Sequence, residues 1–156
     1  MRKFLSVSIL LFLTFFNQPI SAQPQGWNLN DKDSTNKHVL FISNNSSIVT
    51  INGFVIDTGD YIGVFYEKSP GNLQCGGYIK WRTDTACCPL IAFGDDTLSP
   101  TEKGGFDVGE VFQWKLYRAA DSSEYSAIGN YINYAGNYPD TLGVFNPSSI
   151  SWLDSI

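Results

Sequence analysis

Acidic side chains concentrate in one glycine-rich stretch, residues 94–110. Asp95 and Asp96 lie at its start, and Glu110 lies at its end. Calcium prefers carboxylate oxygens, so Asp95, Asp96 and Glu110 form a candidate metal site that would take calcium as its cofactor. No EF-hand spacing is present. In the competing interpretation these carboxylates cap turns by accepting backbone N–H groups, and Glu110 repeats the role of Asp60 after a glycine.

The same carboxylates could serve a glycoside hydrolase, since two carboxyl groups suffice for that reaction. Nothing in the sequence fixes their separation. No Gly-x-Ser-x-Gly nucleophile motif occurs, and His38 is the only histidine. One histidine beside a strand is more often a satisfied surface or core residue than a catalytic base. A hydrolase using residues 94–110 is therefore the alternative hypothesis, and no catalytic residue is assigned.

Aromatic residues in or near turns are the second group that could do chemistry. An exposed ring in a loop can stack on the face of a sugar at a low entropic cost. The competing interpretation is core or edge packing, which rings usually adopt in a small β domain. The candidate ligand-binding residues are Tyr78, Trp81, Tyr131, Tyr134 and Tyr138.

Three cysteines, Cys75, Cys87 and Cys88, form the third group. An odd number cannot pair completely within one chain. A disulfide from Cys75 to Cys87 or Cys88 would contribute about 3 kcal/mol if unstrained. Pro89 favours an extended conformation at Cys88, which would point Cys87 and Cys88 to opposite faces. A disulfide between the adjacent Cys87 and Cys88 would be strained. The remaining alternative is three free thiols, with Cys75 buried alone.

These groups must be positioned by β-strands, and residues 59–66 form the strongest candidate. This run is apolar, aromatic and β-branched, which is typical of a buried central strand. Asn52-Gly53, between two apolar runs, predicts a tight hairpin. Residues 112, 114 and 116 are apolar and alternate with polar neighbours, which predicts a strand with one buried face. The glycines after Cys75 predict a bulge or a close approach of another backbone segment.

About eight short strands at this spacing, without a helical period, predict an all-β fold. The sequence favours a single antiparallel β-sandwich or jelly-roll-like domain over residues 23–156. With 156 residues in all, the chain has room for one domain after its leader.

Residues 1–22 have the pattern of a cleaved signal peptide: a basic start, a short apolar run and a small-residue exit. We therefore predict a secreted, extracellular protein with no membrane insertion after cleavage. The leader holds two of the ten basic residues and none of the fifteen acidic ones. Removing it takes the net charge from −5 to −7, which argues against nucleic acid as a partner.

The order of motifs resembles a functionally uncharacterised β-sandwich module that recurs in secreted and cell-surface proteins of bacteria. The resemblance implies no enzymatic activity, and it implies adhesion, carbohydrate contact or spacing. This chain departs from the pattern at Cys87-Cys88 and by holding a single module. The motifs are Ile51-Asn52-Gly53, residues 59–65 (Gly-Asp-Tyr-Ile-Gly-Val-Phe), Cys75-Gly76-Gly77, Gly94-Asp95-Asp96 and residues 104–115 (Gly-Gly-Phe-Asp-Val-Gly-Glu-Val-Phe-Gln-Trp-Lys).

The functional hypothesis is a secreted, non-enzymatic binding or structural module. Its expected partner is a polysaccharide or a cell-surface protein.

Overall fold

A computed structural model describes residues 23–30, 35–43, 49–96, 102–133 and 141–156. The described residues contain ten β-strands and no helix, which confirms the all-β prediction. The predicted signal peptide lies outside the described residues. The strands are β1 (Lys37–Ser43), β2 (Thr50–Ile51), β3 (Phe54–Val55), β4 (Tyr61–Ser69), β5 (Asn72–Lys80), β6 (Cys87–Phe93), β7 (Gln113–Arg118), β8 (Ser123–Ala127), β9 (Asn130–Ile132) and β10 (Ile150–Ser155).

Two four-stranded sheets pack face to face as a β-sandwich. Sheet 1 has the strand order β6-β1-β10-β9, and sheet 2 has the order β5-β4-β7-β8. A small hairpin, β2-β3, connects β1 to β4. The main core lies between the two sheets and includes Leu40, Ile62, Val64 and Leu116, each at most 2% exposed.

Strand β4 is the central strand that the sequence predicts. All six residues from 61 to 66 are buried, because one side of β4 faces the core and the other side is also covered. β4 pairs with both β5 and β7 in antiparallel register. A register shift between Val64 and Phe65 leaves Gly76 of β5 unpaired, which confirms the predicted bulge.

The Asn52-Gly53 hairpin is also confirmed. Asn52 has φ 53° and Gly53 has φ 81°, the pair of positive angles that a primed hairpin turn requires. Thr50 pairs with Val55, and Ile51 pairs with Phe54.

One strand pair departs from the predicted antiparallel arrangement. β1 and β10 run parallel, with Val39 opposite Ile150 and Phe41 opposite Trp152. A tight turn cannot join parallel strands. Here the connection is nearly the whole domain, because β1 and β10 come from opposite ends of the chain.

The outer face of sheet 2 carries a second, smaller apolar cluster. Trp27, 1% exposed, packs there against Phe65 at 5.2 Å between ring centroids. The Trp27 indole Nε1 donates to Glu124 at 2.7 Å, and the Gln74 amide donates to the Asn28 carbonyl at 2.9 Å. Residues 23–30, called the N-terminal strap below, therefore cover this face of sheet 2.

Candidate functional site

A groove of about 320 Å³ opens at one side of the sandwich, where β8 at the edge of sheet 2 lies near β9 at the edge of sheet 1. This size is at the lower end of the range for ligand pockets in proteins. The residues that line it are Val111, Phe112, Gln113, Trp114, Ala127, Ile128, Gly129, Tyr131, Leu142 and Gly143.

Two aromatic rings form the inner part of the groove. Trp114 points inward from β7 and is 4% exposed, while Tyr131 of β9 is half-buried. The Trp114 Nε1 donates a hydrogen bond to the Tyr131 hydroxyl at 2.7 Å. This bond joins the two sheets and fixes the orientation of both rings.

Two glycines make room for these rings. A Cβ on Gly129 would lie 2.6 Å from the Trp114 Nε1, and a Cβ on Gly143 would lie 2.7 Å from the Tyr131 ring. Gly143 also has φ 67°, which favours glycine. Any larger residue at either position would displace a ring, so the groove depends on both glycines.

The rim of the groove is apolar and exposed. Ile128 is 79% exposed, Leu142 is 77% exposed and Val111 is 55% exposed. The side chain of Gln113 is also exposed and supplies an amide donor and acceptor. The groove therefore combines an aromatic wall, an apolar rim and one polar hydrogen-bonding group.

The structure separates the aromatic residues that the sequence suggested as ligand contacts. Tyr131 lies in the groove. Tyr78 is half-buried instead in the outer cluster of sheet 2, where its ring lies 6.2 Å from Trp27, and burial there raises its pKa. Tyr134 and Tyr138 lie outside the described residues.

The prediction that Trp81 contacts a ligand is wrong. Trp81 is 1% exposed and belongs to the core between the sheets, so its ring cannot stack on a ligand. Its backbone N–H donates to the Asp60 carbonyl at 2.7 Å, which fixes the end of β5 against the start of β4. The turn residues after Trp81 suggested that its side chain is exposed, but the side chain points into the core between the sheets.

The structure does not bring the three predicted calcium ligands, Asp95, Asp96 and Glu110, together in one site. No group of three or more His, Cys, Asp or Glu side chains is placed to hold a metal ion within the described parts of the chain. Asp95 instead accepts the Gly104 N–H at 2.6 Å, which closes the base of its loop. Asp96 is half-buried. Glu110 binds backbone N–H groups.

Asp60 fixes the start of β4 to the end of β7. One oxygen accepts the Asp57 N–H and the other accepts the Ala119 N–H, both at 2.9 Å. The Asp60 N–H returns a bond to the Asp57 carbonyl at 3.1 Å. Asp60 is only 4% exposed, and these bonds provide partners for its buried carboxylate.

Glu110 repeats this arrangement at the opposite end of the same strand pair. Its carboxylate accepts the Asp107 N–H at 2.9 Å and the Glu67 N–H at 2.7 Å. Its own N–H donates to the Asp107 carbonyl at 3.1 Å. The turn interpretation of Glu110 is therefore confirmed, and the two carboxylates hold the two ends of the β4-β7 ladder.

Lys103 adds an ion pair to the Glu110 end, with 2.8 Å to Glu110 and 2.8 Å to Asp107. Burial opposes the charge of Lys103, but hydrogen bonds to Asp107 and Glu110 outweigh burial and raise its pKa. The carboxylates of this region thus stabilise the fold, and Glu110 is neutralised by a cation.

The three thiols are free, so the predicted disulfide is wrong in this structure. Cys75 belongs to the cluster outside sheet 2, while Cys88 belongs to the core between the sheets. The intervening sheet keeps them apart. Cys87 and Cys88 do point to opposite faces, as Pro89 suggested, since Cys88 is buried and Cys87 is half-buried. Both line a second cavity of about 330 Å³.

His38 is fully buried and is satisfied by hydrogen bonds. Its Nδ1 accepts the Asn146 N–H at 3.1 Å, and its Nε2 lies 2.8 Å from the Ser151 hydroxyl. His38 therefore connects β1 with β10 and with the loop at Asn146. Its role here is structural rather than that of a catalytic base.

The sequence assigned Trp114 to the core and did not identify Gln113, Ile128 or Leu142 as groove residues. The strand alternation correctly placed Trp114 inward. It could not show that the sandwich is open at that point. Isolated apolar residues beside glycines, such as Ile128 before Gly129 and Leu142 before Gly143, were the available signal.

No family model matches this chain, and no curated protein or solved structure matches it significantly. Among the described residues, no helix is long and apolar enough to cross a membrane.

Proposed function

We propose that this protein is a secreted, non-enzymatic binding module that holds a sugar unit of a cell-surface or matrix polysaccharide in the Trp114–Tyr131 groove. The observation that carries the proposal is the groove itself: an aromatic wall built on two glycines, with an exposed apolar rim and the Gln113 amide. Secretion rests on the leader pattern of residues 1–22.

The chemistry of the groove suits a pyranose ring. A sugar has an apolar face of C–H groups and a rim of hydroxyls, so it needs an apolar surface beside a polar contact. Tyr131 and the side chains of Ile128 and Leu142 would contact the apolar face. Gln113 would bind a hydroxyl, since its amide can donate and accept.

Binding is favoured over hydrolysis by the position of the carboxylates. The described residues that line the groove include no Asp or Glu. Asp95 and Glu110 instead accept backbone N–H bonds elsewhere, so the hydrolase alternative has no pair of carboxylates flanking the groove. The resemblance to bacterial surface modules points the same way.

The proposal is tested by retention of the purified protein on a panel of immobilised polysaccharides. We expect specific retention on one polymer that free oligosaccharide competes away. Tyr131→Ala and Ile128→Ser should each weaken retention about tenfold, equivalent to about 1.4 kcal/mol. The matched control is Val108→Ser, because Val108 is 72% exposed but does not line the groove.

The same columns run with calcium and with a chelator separate two modes of binding. Unchanged retention is expected, because the groove proposal requires no metal. Loss of retention in chelator would instead favour a calcium-dependent site. No retention on any polymer, or equal retention by Ile128→Ser and the wild type, would contradict the groove as a sugar site.

A further inference from the structure

Apolar side chains line the outer face of sheet 1, with Pro89 and Ile91 exposed and the others half-buried. Alternate residues of β6, β1 and β10 point away from the core, as the alternating burial of these strands shows. The strand register places them side by side, with Val39 between Ile91 and Ile150, and Phe41 between Pro89 and Trp152. Three strands therefore contribute to one patch, called the sheet 1 face below.

Two aromatic rings lie at the centre of the sheet 1 face. The rings of Phe41 and Trp152 stack at 4.9 Å between centroids with an angle of 25° between their planes. Aliphatic side chains surround the rings, and Ile91 remains 40% exposed. An exposed apolar patch rimmed by polar residues usually marks an interaction site.

Opposite charges lie at the two ends of this face. Lys37 is at the start of β1, with its Nζ 5.6 Å from the centre of the Phe93 ring. Asp154 lies near the end of β10, two residues after Trp152, and is exposed. Since β1 and β10 are parallel, the positive and negative groups lie at opposite ends of the patch.

We propose that the sheet 1 face is the interface of a two-fold symmetric dimer with a second copy of this chain. A two-fold axis across the strands reverses the strand direction of the partner. The apolar centres then stack on each other, and Lys37 of each copy faces Asp154 of the partner subunit. The arrangement of charges is thus self-complementary, as a two-fold interface requires.

A second copy fits this face better than a sugar does. The patch holds two stacked rings, Phe41 and Trp152, but the aliphatic side chains of Val39, Ile91 and Ile150 lie beside them. An apolar centre with charged residues at the rim is the usual composition of a protein interface. The face is formed by β6, β1 and β10, whereas the groove lies where β8 and β9 meet, so dimerisation goes beyond the proposed function.

Sedimentation velocity of the purified protein over a wide concentration range, with reductant present, measures the association. Reductant removes any disulfide through Cys87, which lies beside Pro89. We expect a concentration-dependent dimer that Ile91→Glu abolishes. The matched control is Leu73→Glu, since Leu73 is 38% exposed and lies on sheet 2.

Charge reversal tests the arrangement of the two copies. Lys37→Glu and Asp154→Lys should each weaken the dimer about tenfold, because each places like charges together. The double variant should recover the wild-type dimer. Circular dichroism on each variant confirms folding.

Three results would overturn the proposal: a monomer at every concentration, a dimer that Ile91→Glu leaves intact, or a double charge variant that stays as weak as the single ones. Polysaccharide retention by Ile91→Glu, measured in parallel, distinguishes failure of the dimer from failure of the groove.

Discussion

The outer faces of the two sheets are both rich in apolar residues, but only one is covered by a described segment of the chain itself. On sheet 2 the N-terminal strap places Trp27 among Phe65, Tyr78 and Tyr117, at centroid distances of 5.2, 6.2 and 6.3 Å. On sheet 1 the face around Phe41 keeps Ile91 40% exposed. Burial of apolar surface is favourable whether the same chain or another molecule covers it.

The two sheets differ in what would cover their outer apolar faces. Sheet 2 is completed within the chain, so its cover contributes to the stability of the monomer. Sheet 1 would be completed by a second copy, so its cover contributes to association. Substitutions on sheet 2 should therefore change the free energy of unfolding of the monomer, and those on sheet 1 should change mainly the dimer.

The largest effect is expected for Trp27→Ala. Trp27 is 1% exposed, and removing a buried tryptophan costs about 3–5 kcal/mol. Denaturant unfolding under dilute conditions measures this loss. Trp152→Ala is the matched control on sheet 1 and should cost clearly less, because Trp152 is only half-buried.

Alkylation of Cys75 is a second measurement of the effect of Trp27→Ala. Burial raises the pKa of Cys75 to about 12, so its thiol should resist alkylation near neutral pH, where the reactive thiolate is scarce. Trp27→Ala should open the cluster and speed labelling of Cys75, as mass spectrometry would show. Equal labelling in both proteins would mean that the strap does not protect this face.

Gly63→Ala should cost about 1–3 kcal/mol by overpacking the same cluster. A Cβ on Gly63 would lie 2.6 Å from the Trp27 ring, and an indole cannot yield as a flexible chain would. The double variant with Trp27→Ala completes a mutant cycle. If the cost of Gly63→Ala is unchanged without Trp27, the clash does not come from the strap.

Low pH should weaken the strap by less than about 1 kcal/mol, because Glu124 is partly exposed. Burial alone would raise the pKa of Glu124, but hydrogen bonds from Lys115 and Trp27 outweigh burial and lower it from 4.5. The folded state therefore binds its proton at lower pH than the unfolded state does. This stabilisation is complete above the unfolded value and is lost as pH falls through the lowered one.

Unfolding of Glu124→Gln as a function of pH measures that contribution. The variant should lose this part of the acid sensitivity, while Glu102→Gln, in an ion pair with Lys68 on an exposed surface, should retain it. Identical pH profiles for Glu124→Gln and the wild type would show that the Trp27–Glu124 bond is not pH-sensitive.

The smallest effect is expected for Ile91→Ser in the monomer. Substitutions at exposed positions usually change stability by no more than about 0.5 kcal/mol. Thermal unfolding at low protein concentration tests this value. A loss as large as that of Gly63→Ala would show that the sheet 1 face is already covered within the chain.

Much of the fold could be predicted from local sequence. The buried run of β4, the Asn52-Gly53 turn, the bulge at Gly76 and the inward Trp114 all follow from residue type and alternation, which act over a few residues. Glu110 as a partner for turn N–H groups was predictable for the same reason, since Asp60 has the same position after a glycine.

The candidate site was less predictable. Tyr78, Trp81 and Tyr131 all lie near turns in the sequence, yet one packs beside the strap, one is in the core and one lies in the groove. Their separation depends on which way each strand faces and on what covers it. The pairing of the thiols was unpredictable for the same reason. Their spacing along the chain does not show that sheet 2 lies between Cys75 and Cys88.

The sequence by itself determined the strands, their turns and the carboxylates that hold the ends of β4 and β7, because hydrogen bonding and alternation are local. Only the tertiary structure decided the parallel pairing of β1 with β10, the covering of sheet 2 by Trp27 and the opening between β8 and β9. Those features join residues far apart in the chain, such as Trp27 and Glu124. They arise because apolar faces made by distant segments must be covered by whatever surface lies against them.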